Sequence, residues 1–321
     1  MASGETGLLH AYLLDGAGGA RALDWDGIAR WSPNDGILWI NLDYSVADTE
    51  AWLRERSGID PIALAALLDP DPRPRAVAHG EDLLLIVRGI NLNAGAAPED
   101  MLSVRAWIEP RRIVTLRRRV STSIRSIVAD LQAGRGPRSA GELTAVFVER
   151  ILEHVVTRVD VLGDEIAACE DRVLEGTRGA ELRAILADHR RRAIALRRFL
   201  GPQREAFGKL AVIAVPWLDP LQRARIAEAA DRMTRTVEEL DAARDRAAVT
   251  QEELASRVAE VTNRRLYLLA IITAVFLPLG FVCSLLAVPV ARDSWPFWSL
   301  CGALGVGVGA QLWLLHKRGW L

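Results

Sequence analysis

The sequence predicts an α/β domain with a mostly antiparallel sheet, followed by long helices and a C-terminal hairpin of two membrane-spanning helices. Three observations lead there. Two uncharged apolar stretches, 266–291 and 294–315, lie at the end of the 321-residue chain. Short β-rich runs separated by turn residues fill the region up to about Val120. Between these two regions the apolar residues recur at helical spacing among many charges.

In the N-terminal region, 8–14, 37–42, 83–90, 102–108 and 113–117 read as strands. A helix is expected over 47–58, then a short apolar run at 61–68 and a loop at 69–75. The Ala-Gly-Ala-Ala core of 93–98 reads as a connection between adjacent antiparallel strands. Beyond Val120 the chain is helical, with breaks expected at 134–139, 176–179 and 201–202. A further helix starts after Pro216–Pro220 and meets no Pro or Gly until Pro278. Along it Ile226, Ala230, Met233, Val237, Leu240, Ala247, Leu254, Val258 and Val261 keep a seven-residue repeat. Arg244 and Gln251 fill two intervening seam positions, and a seam of this kind predicts helix–helix packing.

Each apolar stretch exceeds the ~20 residues a helix needs to cross a hydrocarbon core of roughly 30 Å. Arg257, Arg264 and Arg265 precede the first, and Lys317 and Arg318 follow the second. That bias predicts cytoplasmic termini and a short outer loop. Trp295, Trp298, Trp313 and Trp320 sit toward the ends of the second stretch, where indoles favour the interface. The first seven residues show no basic or apolar signal region, so no cleaved leader is expected. The resulting plan is a cytoplasmic α/β domain at 1–120 and a cytoplasmic helical region at 121–220. A stalk helix at 221–291 continues into the first span, with a periplasmic loop at 292–294. The second span at 295–316 and a basic tail at 317–321 complete it.

The continuous helix is roughly 100 Å long at 1.5 Å per residue. It serves either as a tether or as a rod linking the cytoplasmic domain to a pore. Two helices cannot enclose a pore, so transport requires a ring of subunits. The first span offers one stripe at steps of three or four: Asn263, Leu266, Ala270, Thr273, Leu277, Gly280, Ser284 and Ala287. Its weakly polar residues between Leu rings suit a cation path gated by dewetting. They equally suit close helix packing, as do Gly302, Gly305, Gly307 and Gly309 in the second span.

Other chemistry is sparse. The three cysteines, Cys169, Cys283 and Cys301, form neither a disulfide framework nor a zinc spacing. The five histidines (His10, His79, His154, His189 and His316) are scattered. His154 with Asp160 or Glu165, Cys169 with Glu170, and the acidic set Asp69, Asp71, Glu99 and Asp100 were weighed as cation sites. Solvated helix surface and loop salt bridges are the favoured account of them. A formal charge of −1 gives no nucleic-acid signal. No nucleophile–base pair or phosphate-binding glycine loop occurs, so no enzyme is predicted and no cofactor is expected.

The run Arg88-Gly-Ile-Asn-Leu-Asn-Ala-Gly-Ala-Ala-Pro-Glu-Asp-Met-Leu-Ser-Val-Arg-Ala-Trp107, continuing to Ile113-Val-Thr-Leu-Arg-Arg-Arg119, resembles the ZntB-like branch of the CorA metal-ion transporters. Asp71-Pro-Arg-Pro-Arg75, Arg197-Arg-Phe-Leu-Gly-Pro-Gln-Arg-Glu205, Pro216-Trp-Leu218 and Gln251-Glu-Glu-Leu254 extend it. So do Asn263-Arg-Arg-Leu-Tyr-Leu-Leu269, Phe276-Leu-Pro-Leu279 and Lys317-Arg-Gly-Trp-Leu321. The resemblance implies a homopentameric funnel in the bacterial inner membrane, its central pore lined by the first span. The transported ion it implies is a divalent cation, Zn²⁺ first and Mg²⁺ second. One departure stands out. The family places Gly-x-Asn at the outer end of the first span, where this chain has Ala287, Val288 and Pro289. Pro289 has no amide side chain to hold a hydrated ion. That departure keeps a second reading in view: a membrane scaffold or sensor that no longer transports.

Overall fold

The computed structural model describes residues 7–176, 180–286 and 295–317. The chain separates into a first unit, Met1–Gln251, and a second, Glu252–Leu321. The first unit is built on a seven-stranded sheet in the order β2-β1-β3-β7-β6-β5-β4. Its strands are β1 (Leu8–Leu14), β2 (Ala20–Leu23), β3 (Ile37–Asp43), β4 (Arg75–His79), β5 (Asp82–Gly89), β6 (Leu102–Ile108) and β7 (Arg112–Arg117). Every pairing is antiparallel except β3 with β7, which runs parallel from Leu38↔Arg112 to Asp43↔Arg117.

Both faces of the sheet are covered, and the strand residues alternate between two cores. Leu83, Leu85 and Val87 of β5 join one core, with Ile151, Val155, Leu196 and Phe207 from the long helices. Leu84 and Ile86 join the other, with Leu53, Leu64 and Leu67 from short helices. A strand buried on both sides needs no polar face, which is why β5 reads as an unbroken apolar run.

The short helices are α1 (Trp25–Arg30), α2 (Ala47–Glu55) and α3 (Pro61–Leu68), with α4 (Thr122–Gln132) on the opposite face. Their starts are specified by side chains. Asp60 accepts from the amides of Ile62 and Ala63 ahead of Pro61, which suits the first helical position. Ser139 caps α5 (Ala140–Leu174) through the Glu142 amide, while the Glu142 carboxylate accepts from the Arg138 amide.

Four elements differ from the sequence reading. β2 and β4, together with α1, went unread because edge strands carry little apolar alternation; β4 buries only Ala76. The break expected at Gly201–Pro202 does not occur, and α6 runs from Ala180 to Val212. Proline in a helix removes one hydrogen bond and costs about 3 kcal/mol. Here the apolar face continues on both sides of it, with Leu196, Leu200, Phe207 and Leu210 all buried, and that packing holds the helix together.

The last long helix of the first unit, α7, spans Pro220–Leu286 and continues into the second unit. Ile226, Ala230, Met233, Val237, Leu240 and Ala247 are buried in the core, as the seven-residue repeat predicts. Arg244 and Gln251 are not the seam residues; Ala243 and Thr250, one position earlier, are buried instead. The Arg244 guanidinium turns outward to Asp245 at 2.9 Å. A 3.6-residue helix drifts against a strict heptad, and small residues take the seam where it drifts.

Candidate ion-pathway helix

In the second unit, α7 carries an 18-residue window of mean hydropathy 2.5, none of it buried within the fold. Leu266, Leu268, Leu269, Ile272, Phe276, Leu277 and Phe281 are all exposed. They cover about 220° of the helix circumference, and the remaining face holds half-buried Ile271, Ala274, Pro278 and Val282. So wide an exposed apolar arc is the signature of a helix solvated by lipid or by other helices rather than by water. Among the described residues this is the one helix long and apolar enough to cross a membrane; α8 (Trp295–Lys317) contributes a shorter apolar stretch, Cys301–Ala310. At the basic end of α8, the Lys317 ammonium sits 5.1 Å above the Trp313 ring. An indole with a lysine over its face fits an interface where one end is wet.

Seven of the eight stripe residues lie on the described part of α7: Asn263, Leu266, Ala270, Thr273, Leu277, Gly280 and Ser284. Steps of three and four keep them within an arc of about 100°. From Asn263 to Ser284 they rise about 32 Å at 1.5 Å per residue, close to the roughly 30 Å of a hydrocarbon core. The Thr273 hydroxyl donates to the Leu269 carbonyl at 2.9 Å. Its hydrogen is thereby held, and its lone pairs remain as acceptors on the exposed face. A Cβ on Gly280 would meet nothing within 4 Å. The eighth position, Ala287, and the motif positions Val288 and Pro289 lie outside the described residues, as do Arg292 and Asp293.

Several of the candidate cation ligands in the first unit are engaged elsewhere. Asp71 pairs with Arg88 at 2.7 Å and Arg198 at 3.7 Å. Glu99 pairs with Arg158 at 3.2 Å, and Glu165 faces His189 at 3.4 Å. The Cys169 thiol is buried, and burial pushes its pKa up, disfavouring the thiolate a metal needs. His10 packs between Tyr12 and Trp39. His79 lies 5.7 Å from the Trp107 ring. Among the described residues, no group of three or more His, Cys, Asp or Glu is placed to hold a metal ion.

What the sequence reading passed over is basic rather than acidic. Arg105 on β6 is fully buried and Arg88 on β5 nearly so, at the same end of the sheet. The available signal was an arginine at an inward position of an otherwise apolar strand.

The family described as CorA-like Mg²⁺ transporter protein matches residues 34–317. A Pseudomonas aeruginosa protein named divalent cation transporter CmaX is 36% identical over 325 residues, covering 99% of this chain and 98% of its own. A Yersinia enterocolitica protein named zinc transport protein ZntB is 33% identical, covering 98% of this chain and 96% of its own. The solved structure of full-length CmaX superposes with a TM-score of 0.88 at 35% identity, over 99% of both chains. A complete CorA magnesium transporter from Methanocaldococcus jannaschii shares the fold, with a TM-score of 0.75 at 16% identity over 97% of this chain and 98% of its own. With a described helix of membrane-spanning character at the C-terminal end and these full-length likenesses, the chain belongs to the CorA family, in its ZntB-like branch.

Proposed function

We propose that this protein moves divalent cations across the bacterial inner membrane as a homopentamer, the ions passing through a central pore lined by the membrane part of α7. The observation that carries the reading is the apolar end of α7, exposed around most of its circumference, with a stripe of small and weakly polar residues on the exposed side. A hydrophobic helix this exposed among the described residues calls for lipid and for copies of itself. The relatives' names, a divalent cation transporter and zinc transport proteins, support cations as cargo. Zn²⁺ is the first candidate and Mg²⁺ the second. The bilayer topology in this proposal has two spans, α7 and α8, with both termini in the cytoplasm. The chain acts by conduction and not as an enzyme. Flux into liposomes containing a Zn²⁺- or Mg²⁺-sensitive dye tests this directly. The expected result is dye response above that of empty liposomes for at least one ion; none under any imposed pH gradient defeats the proposal.

A second reading rests on Ala287, Val288 and Pro289. Without an asparagine amide at the outer mouth, the protein would persist as a membrane scaffold or sensor. Converting Ala287→Gly and Pro289→Asn around Val288 separates the two. If the wild type conducts, the double variant is expected to change ion preference, and an unchanged profile removes the outer mouth as the filter. If only the variant conducts, the scaffold reading stands.

A further inference from the structure

One cleft of the first unit is lined by an excess of guanidinium groups. It opens where β5 ends, β6 begins and β7 runs out, and its walls include Tyr44, Arg88, Arg105, Arg118, Arg119 and Arg198. The strand register forces this gathering: Arg88 pairs across from Ser103, two residues before Arg105, and Arg105 pairs across from Leu116, two before Arg118.

Arg105 is the unusual member. It is fully buried, yet its partners are all neutral: the Leu67 carbonyl, the Tyr44 hydroxyl at 3.0 Å and the Ser103 hydroxyl at 3.3 Å. Its guanidinium lies 4.2 Å over the Tyr44 ring. Arg88 does have a carboxylate, Asp71, and lies 4.6 Å over the Phe199 ring, but its buried Nε has no hydrogen-bond partner. Among the described residues, Arg105, Arg118 and Arg119 form no ion pair. The two carboxylates in the wall are Glu99 and Asp100, and Glu99 is taken by Arg158 and Arg192 on the far side. Burial draws the Arg105 pKa below its ordinary value; Tyr44 and the Asp69 carboxylate pull the other way, and the Arg88 charge acts with burial. A buried charge with no carboxylate in direct contact is costly, and an arriving anion relieves that cost.

We propose that this cleft, about 560 Å³ in volume, binds a small phosphate-bearing anion. Arginine forks match phosphate oxygens two at a time, and the volume lies within the usual range for small-ligand pockets. Buried Arg105 and Arg88 form a floor fixed by aromatic faces, and exposed Arg118 and Arg119 form the rim. The inference concerns the first unit alone and stands whether or not the membrane helices conduct.

Calorimetric titration of the full-length protein tests it, in a maltoside detergent that carries no phosphate headgroup. The titrants are pyrophosphate, ADP and adenosine. At about 0.15 M sodium chloride, loose attraction is screened beyond about 8 Å and chloride already competes. Pyrophosphate or ADP is expected to bind saturably, one per chain, and adenosine not to bind. The Arg118→Gln/Arg119→Gln variant, altered only at exposed positions, should lose at least about tenfold in affinity. Arg21→Gln, in a different cleft, should lose nothing. Absence of saturable binding by either phosphate, equal binding of adenosine, or undiminished binding in the double variant overturns the proposal.

Discussion

His10 shows how one half-buried side chain ties the stability of the fold to pH. Its ring lies 5.4 Å from Tyr12 and 5.2 Å from Trp39, and its Nε2 is buried without a partner. Burial, with a smaller push from the Arg117 charge, lowers its pKa from 6.5 to about 4. In the unfolded chain the imidazole takes up a proton below about pH 6.5, but in the fold it stays neutral until about pH 4. The unfolded state therefore binds more protons in this window. The stability tied to neutral His10 is fully present above pH 6.5 and is lost as the pH falls toward 4. The loss reaches at most about 2 kcal/mol by pH 5. His10→Phe should remove it: thermal melts of the full-length protein at pH 7.5 and pH 5 should differ less for the variant than for the wild type. Equal acid sensitivity in both would mean that other groups set it. None of this was legible in the sequence, where His10 was one scattered histidine. Its environment is made by Trp39, 29 positions away, and by the antiparallel register of β1 and β3.

Among the elements, the central strands and the α7 seam were readable because their apolar periodicity is a direct consequence of burial. β1 and β6 have the bounds that the alternation suggests, and β3, β5 and β7 differ by a residue or so at their ends. The elements that escaped are those whose order depends on neighbours, namely the edge strands and the helix through Pro202. Helix contacts show the same dependence. Gly141, in the first turn of α5, lets the start of α7 come close: a Cβ there would lie 1.9 Å from Gln222 Oε1 and 3.0 Å from the Trp217 carbonyl oxygen. Gln222 is held in place, its amide donating to Asp219 Oδ1 at 2.8 Å and its Nε2 to Ser139 Oγ at 2.9 Å. Gly141→Ala must displace this linkage and press on backbone. It should destabilise the first unit by about 1–3 kcal/mol, as overpacking does. Denaturant unfolding of the full-length protein measures the change. A neutral result would show that Gln222 swings away at no cost.

For the whole molecule, the open question in the α7 stripe is which surface it faces, and spacing left the pathway and packing readings level. Both use small residues on one side of a helix, so the sequence cannot separate them. Within one chain the stripe is exposed, whereas another side of the helix, at Ile271, Ala274, Pro278 and Val282, is half-buried. The discriminating residue is Leu277, a large side chain, 69% exposed, between small Thr273 and Gly280. If it forms a ring that closes a pore by excluding water, Leu277→Ala widens and wets that ring. Cation flux into dye-loaded liposomes should then rise, by at least several-fold, since hydrophobic constrictions gate by dewetting. Phe276 is its neighbour about 100° around the helix. Phe276→Ala removes more apolar surface from a side that a pore does not touch, so flux should stay near the wild-type level. A packing stripe predicts the opposite pattern: Leu277→Ala loosens the assembly, read as dissociation in detergent, with no gain in flux. If both variants leak equally, Leu277 is not a gate, and the constriction must be sought at another ring on α7.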